Sequence, residues 1–336
     1  MTTQTTTRHQ RPAPSGASGP QQPRISFSAR LSRLDLKFSP YLYIAPFFVL
    51  FAIFGVFPLI WTGNLAFQNM EVGDDPATAK YIGWENFTKI LGDEHFWNAL
   101  YNTIGIFFVA TVPQLLLAMV VANMLNKKLR GRTGYRMGTL LPNITSVAAV
   151  GIVFTLLFSR SFGLFNWILG TVGVAPVDWA ANKWSSWLAI ATMVDWRWTG
   201  YNALIYLAAM QSIPKDIYES AALDGASPAR QFWRITVPML RPTIIFTTVI
   251  STIGGFQLYT EPLLFSGGGA SPMIGGTLRQ YQTVTMYLME KFFVDYKMSQ
   301  AATVAWLLFL IIMIASLLNY LIVSRLQSDT RRGGKK

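Results

Sequence analysis

Cysteine is absent from all 336 residues, which removes disulfides, zinc thiolate sites and iron–sulfur clusters together. Histidine is nearly absent, with only His9 and His95, so no Ser/His/Asp set or histidine metal site can be assembled inside an apolar segment. The phosphate-cradling pattern G-x-x-x-x-G-K-[ST] occurs nowhere, so this chain does not hydrolyse nucleotide by that route. Charge is scarce too. Against 51% hydrophobic residues, 13% charged residues leave too little polar surface for a soluble domain, and an integral membrane protein is the reading that remains. The net charge of +12 does not point to nucleic acid, because the basic residues lie between apolar runs rather than on one aqueous face. No apolar core stands close to the start, as a cleaved signal would need; the first long run begins near Tyr41 and contains Pro46 and Pro58.

What is present is a series of runs long enough to cross hydrocarbon, which takes about 20 apolar residues. They fall at 41–67, 98–125, 137–158, 187–211, 240–264 and 300–323, predicting an all-α polytopic membrane protein of about six transmembrane helices. The stretch from Gly163 to Val174 is apolar but short and glycine-rich, and reads as an extracytoplasmic or re-entrant segment. Residues 1–37, rich in Thr, Gln, Pro, Ser, Gly and Arg, read as a disordered basic tail, 38–325 as the membrane domain and 326–336 as a second basic tail. Of the 28 Lys and Arg, 20 fall in the two tails and in the loops after the second and fourth runs, against 7 in the other loops. By the positive-inside rule both termini are cytoplasmic. Trp61, Trp97, Trp179, Trp184 and Trp187 cluster near the proposed outer ends, as an interfacial belt does.

The loop at 212–242, SIPKDIYESAALDGASPARQFWRITVPMLRP, is unlike a mere connection. Pro214 suits the start of a short helix with Ile217, Ala221 and Ala222 on one face, and Gly225 supplies the backbone freedom that ends it. Ser227 is a good N-cap and Pro228 fits the first turn of a second short helix, which must stop before Pro238. Helix, sharp turn, helix is the result.

This loop resembles the coupling loop of permease subunits of bacterial binding-protein-dependent ABC importers, whose pattern is E-A-A, Gly three residues on, nine residues, then I-x-L-P. Here it stands as Glu219, Ser220, Ala221, then Gly225, then Ile235, Val237 and Pro238, with Ser220 in place of Ala and Val237 in place of Leu. Asp224 precedes the glycine. The stretches YIGWENFTKIL from Tyr81, FWNALYNTI from Phe96, LPNITSVAAVGIVFTLLF from Leu141 and FSGGGASP from Phe265 are similar to the maltose and glycerol-phosphate permease branch. The resemblance implies a type I importer permease fold in a bacterial cell membrane. It also implies a second homologous permease subunit, two cytoplasmic ATPase subunits that bind ATP and Mg, and an extracytoplasmic substrate-binding protein. No cofactor is implied for this chain itself, and its cargo would be a sugar.

Polar side chains inside a span are costly unless they line a cavity or pair, so they are candidate substrate contacts. The fourth run offers Trp196, Arg197, Trp198, Tyr201 and Asn202, with Asp195 beside them. Arg197 has a second reading, pairing across helices. The fifth run adds Ser251, Gln257, Tyr259 and Glu261, while Gly254 and Gly255 read as close-packing positions. Tyr201 and Asn202, with Trp198 one turn before Asn202, predict a combined aromatic and amide surface for a sugar ring. The alternative function is a self-contained secondary transporter, which would show inverted repeats with paired broken helices; no such repeat is visible in the sequence.

Overall fold

The computed structural model describes residues 27–127, 130–265 and 272–333, and side chains within them over 38–127, 130–265 and 273–321. The tail expectation for 1–26, residues 266–271 of the FSGGGASP stretch and the end beyond Gly333 lie outside the described residues. Two compact units divide the chain, 1–60 and 61–336. The first holds α1 (Phe27–Phe51) and a π turn (Ala52–Val56), so 27–37 is helical where a tail without order is expected. Tyr43, Phe48 and Phe54 of this unit are exposed. Next comes α2 (Phe57–Leu65), and Phe38–Leu65 as a whole is apolar and long enough to cross a membrane.

In the second unit a two-stranded antiparallel hairpin, β1 (Gln68–Asn69) with β2 (Lys80–Tyr81), precedes α3 (Glu85–Leu91). The buried Asn86 amide holds the approach to this hairpin, donating to Ala66 O and Gln68 O at 2.9 and 2.7 Å. The membrane helices that follow are α4 (Glu94–Leu125), α5 (Arg132–Ile144) and α6 (Val147–Leu157). A short α7 (Leu164–Thr171) then leads to α8 (Lys183–Gln211). Beyond it lie α9 (Lys215–Leu223), α10 (Pro228–Gln231), a π turn (Phe232–Thr236) and α11 (Val237–Met239). The chain closes with α12 (Arg241–Phe256), α13 (Thr260–Phe265), α14 (Val284–Phe293) and α15 (Met298–Gly333).

Among the described residues three helical stretches have the length and apolarity to span, and two bent pairs bring the number to five. α8 is not among these five: its 29 residues are long enough, but they include Asp195 and Arg197 near the middle. Two expected spans differ from single helices. The run at 137–158 is broken between α5 and α6 by a bend of 87°. Thr145 leaves the helical region there (ψ 141), three residues after Pro142, which has no N–H to give. The run at 240–264 stops at Phe256 and resumes at Thr260, leaving Gln257 and Tyr259 in the break after the weak helix formers Gly254 and Gly255.

The core is the parallel pair α4 and α8. Ile106 and Ala110 pack with Trp187, Ile190 and Val194 at one end. Met119, Ala122 and Leu125 pack with Tyr206, Leu207 and Met210 at the other. Close approach depends on missing side chains: a Cβ on Gly105 would lie 2.2 Å from the Trp187 ring, and one on Gly255 would lie 2.7 Å from Phe107. Gly254 meets nothing, so of the two expected packing glycines only Gly255 makes a contact.

At the end of the bundle where α4 and α8 begin, a polar cluster fixes the segment before α14. Arg279, held at φ +54, makes a bidentate ion pair with Glu290 at 2.6 and 2.7 Å, and Gln282 bonds both. Asn98 and Asn102 donate to Arg279 O, each at 2.8 Å. Nearby, burial raises the Asp93 carboxyl, but the Tyr287 hydroxyl at 2.6 Å, the His95 N–H and Lys291 outweigh it and hold the carboxyl below its usual value.

Among the described glycines, the one at the crossing of α5 and α8 has the least room. A Cβ on Gly200 would lie 1.7 Å from Thr139 O, a backbone atom that cannot swing away. Gly200→Ala should therefore lower thermal stability by about 1–3 kcal/mol, the range for overpacking, whereas Gly170→Ala, which faces open space, should leave it within about 0.5 kcal/mol. Thermal unfolding of the purified chain in detergent measures both; equal effects would contradict the crossing.

Candidate functional site

Two arrangements carry functional weight, the loop after α8 and the polar faces of α8, α12 and α13. The loop is an elbow made mainly by backbone bonds. Gly225 has φ +74, a left-handed conformation that side chains disfavour. Its N–H donates to Ala222 O at 3.0 Å and the Ala226 N–H to Ala221 O at 2.9 Å, the two bonds that close a helix C-terminus in the Schellman manner. Asp224 is the C-cap of α9. Ser227 then caps α10 by accepting from Arg230 N, with Pro228 in the first turn. The Tyr218 hydroxyl bonds Thr236 Oγ1 at 2.9 Å, tying the two arms together.

Glu219 and Ser220 stand exposed on α9 and Ala221 is half-buried, while Ile235 lies in the π turn and Pro238 in α11. No residue of α9 is buried. Leu223, at its end, is 91% exposed, and Trp233 on the second arm is exposed as well. Apolar side chains held out on a rigid turn are the mark of a surface that a partner covers.

The expected path residues separate into distinct environments. Arg197 on α8 reaches across to Glu261 on α13, Nη1 to Oε1 at 2.6 Å, and the two side chains are only 13% and 8% exposed. The cross-helix reading of Arg197 is thus the observed one. Its guanidinium also lies 5.9 Å from the centre of the Trp198 ring. Trp198 and Tyr201 form an edge-to-face pair with ring centres 5.9 Å apart, and both are exposed.

Asn202 does not share that exposure. It is 5% exposed, so the predicted combined aromatic and amide surface is corrected to an exposed aromatic one. Trp196 stands apart again. It lines a cavity of about 420 Å³ with Val150, Val153, Phe154, Phe165 and Thr192, a wall with almost no polar surface to bond sugar hydroxyls. In the break between α12 and α13, Gln257 is exposed and Tyr259 half-buried, while Ser251 is half-buried on α12. Beside the ion pair, Asp195 Oδ1, Arg197 Nε and Thr199 Oγ1 are buried atoms without a hydrogen-bond partner. Among the described residues no three His, Cys, Asp or Glu converge as a metal site would.

Sequence reasoning missed the Arg279–Glu290–Gln282 cluster. The one local signal was the NALYN repeat of amides at Asn98 and Asn102, whose spacing of four puts both on one helix face.

A model of the family described as "Binding-protein-dependent transport system inner membrane component" matches residues 105–331. The arabinooligosaccharides transport system permease protein of Halalkalibacterium halodurans is 34% identical over 283 residues, covering 84% of this chain and 86% of that one. The lactose transport system permease protein of Rhizobium radiobacter is 34% identical over 303 residues, covering 87% and 97%. Among solved structures, a chain of a bacterial alginate ABC transporter, crystallised with an alginate pentasaccharide-bound periplasmic protein, superposes with a TM-score of 0.72. The match covers 89% of this chain and 98% of that one at 21% identity, and bears on the fold.

The buried ion pair makes a testable demand on stability. Arg197→Met leaves the Glu261 carboxylate buried without its cation and should cost about 3–5 kcal/mol, and adding Glu261→Met should recover most of it. Thermal unfolding of wild type, single and double variants decides the matter; additive losses would mean that the two side chains do not depend on each other.

Proposed function

This chain belongs to the binding-protein-dependent transport system inner membrane component family, and on that premise we propose that it is the channel subunit of an ATP-driven importer that carries a sugar into the cytoplasm. The cargo we favour is a di- or oligosaccharide delivered by an extracytoplasmic binding protein, a reading supported by the oligosaccharide and disaccharide systems in which its relatives serve. Family membership speaks against the alternative, a self-contained secondary transporter.

The observation that carries the proposal is the elbow of α9 and α10. It is rigid, exposed and tipped with an apolar side chain, and it joins α8 to the α11–α12 segment. In our reading it sits in a cleft of a cytoplasmic ATPase subunit, with Glu219 and the turn at Gly225 as its centre. Two such subunits bind and hydrolyse ATP with Mg, one against this chain and one against a second homologous permease. Because the elbow lies between the two segments that bear the path residues, a rigid displacement of it shifts α8 and α12 together and opens the path to one side at a time. Both termini and the elbow face the cytoplasm, an orientation supported by the 20 to 7 distribution of Lys and Arg.

Gly225→Pro cannot adopt φ +74 and loses the N–H that closes α9, and Glu219→Lys reverses a charge on the gripped face. Each should reduce sugar uptake and sugar-stimulated ATPase activity by at least about tenfold while the chain still inserts into the membrane. Uptake at the wild-type rate by both variants would end the docking assignment. Tags after Asp74 and near Lys183 should be reachable from outside intact cells and tags near Arg230 should not; the reverse pattern would overturn the orientation.

A further inference from the structure

We infer that the hydrogen bond between Tyr218 and Thr236 braces the elbow into one body, so that a push on α9 is delivered to α12, with these two as positioning residues. This rests on the permease reading above, in which a cytoplasmic ATPase subunit grips the elbow, and it names the contact that carries the grip onward. The two arms are rooted differently. In the second, Phe232 and Val237 pack on the core shared by α4 and α8, Leu240 belongs to that core, and Thr236 at the end of the π turn is 4% exposed. In the first, no residue of α9 is buried, and Leu223 at its end stands almost free of the protein. The partner is thus offered the loose arm, while the rooted arm leads into the membrane helices.

α9 hangs between two joints that are not helical. Pro214 ahead of it lies outside the helical region (ψ 135), and Gly225 beyond it turns left-handed at φ +74. A rod held at its two ends still rolls about the line through them, and a third point off that line stops it. Tyr218 supplies that point through its hydroxyl, 2.9 Å from Thr236 Oγ1. Among the described residues this is the single side-chain hydrogen bond or ion pair that α9 makes. The other side-chain bonds of the elbow stay within the turn and the second arm, where Ser227 accepts from Arg230 N and Gln231 Nε2 donates to Ala226 O. The second arm meets α12 through a bend of 68°, so no straight helix carries the motion and the arms must move together to deliver it. Thr236 is well placed for this, because its carbonyl accepts from Leu240 N at 2.9 Å, directly before the bend. Without the brace α9 rolls in the grip of its partner, and α12 no longer follows.

The two arms can be followed separately. The chain has no native cysteine, so Asp216→Cys on α9 and Ile250→Cys on α12, both exposed, take spin labels at those positions alone. Double electron–electron resonance is recorded on the transporter assembled in lipid nanodiscs with cysteine-free partner subunits, once with Mg and ADP and once with Mg and a non-hydrolysable ATP analogue. With the brace intact the label distance should agree between the two states within about 1 Å, as for a rigid body. Tyr218→Phe and Thr236→Val each remove the bond at nearly constant side-chain size, and each should let the distance differ between states by at least about 2 Å. Thr236→Ser, which keeps the hydroxyl, should behave as the parent. ATP hydrolysis should persist in all of them, because the gripped face is unchanged. A distance that stays constant in Tyr218→Phe and Thr236→Val overturns the inference, as does one that already differs between states in the parent or in Thr236→Ser. Loss of hydrolysis in both hydroxyl-free variants also overturns it, since the pair would then serve the grip and not its transmission. A parent chain that assembles with no ATPase subunit fails the proposed function instead.

Discussion

The packing of α8 on α4 is the contact from which the other arrangements follow. Trp187 lies across the gap left by Gly105, and from there to Met210 the two helices share an apolar seam that runs the length of the bundle. With α8 fixed there, its middle carries the nearly buried Arg197 and the exposed rings of Trp198 and Tyr201. The same helix leads into the elbow three residues later, so the position of the ion pair and the position of the elbow are set by one element. Polar groups elsewhere obey the rule that hydrocarbon supplies no partners. Tyr206 bonds Thr247 and Asn319 bonds Thr252, each linking a neighbouring helix to α12.

Much of this architecture was legible in the sequence because the governing chemistry is local or compositional. Apolar runs mark spans without knowledge of their neighbours. The elbow could be parsed residue by residue, since Gly225, Ser227 and Pro228 act on their own backbone within a turn or two. The breaks were harder. The third run was expected as one span, whereas Thr145 leaves the helix three residues after Pro142 and the chain turns by 87°. Gly254 and Gly255 were read as packing residues, whereas only Gly255 is packed and both precede the end of α12.

The site was less legible, for a geometric reason. Spacing of four places Trp198 and Asn202 on one side of α8, but which side faces the core depends on what packs there. Packing buries Asn202 and leaves Trp198 exposed against Tyr201. Glu261 is 64 residues from Arg197, and nothing in either neighbourhood names the other. The Arg279–Glu290 cluster was invisible for the same reason: its clamp comes from α4, some 180 residues away. Long-range pairs are fixed by topology, and topology is what a pattern of apolar runs leaves open.

The bonds that close α9 join one main-chain atom to another, and at the turn that follows it the bare hydrogen of Gly225 is dictated by shape. The outline of the handle is thus separable from its lettering. Apart from Tyr218, whose hydroxyl ties the two arms, substitutions along Lys215–Leu223 can alter what the handle fits without altering how it is held. A transplant of this helix between two such chains, with Tyr218 kept, would change the surface it offers and leave the recipient's turn untouched.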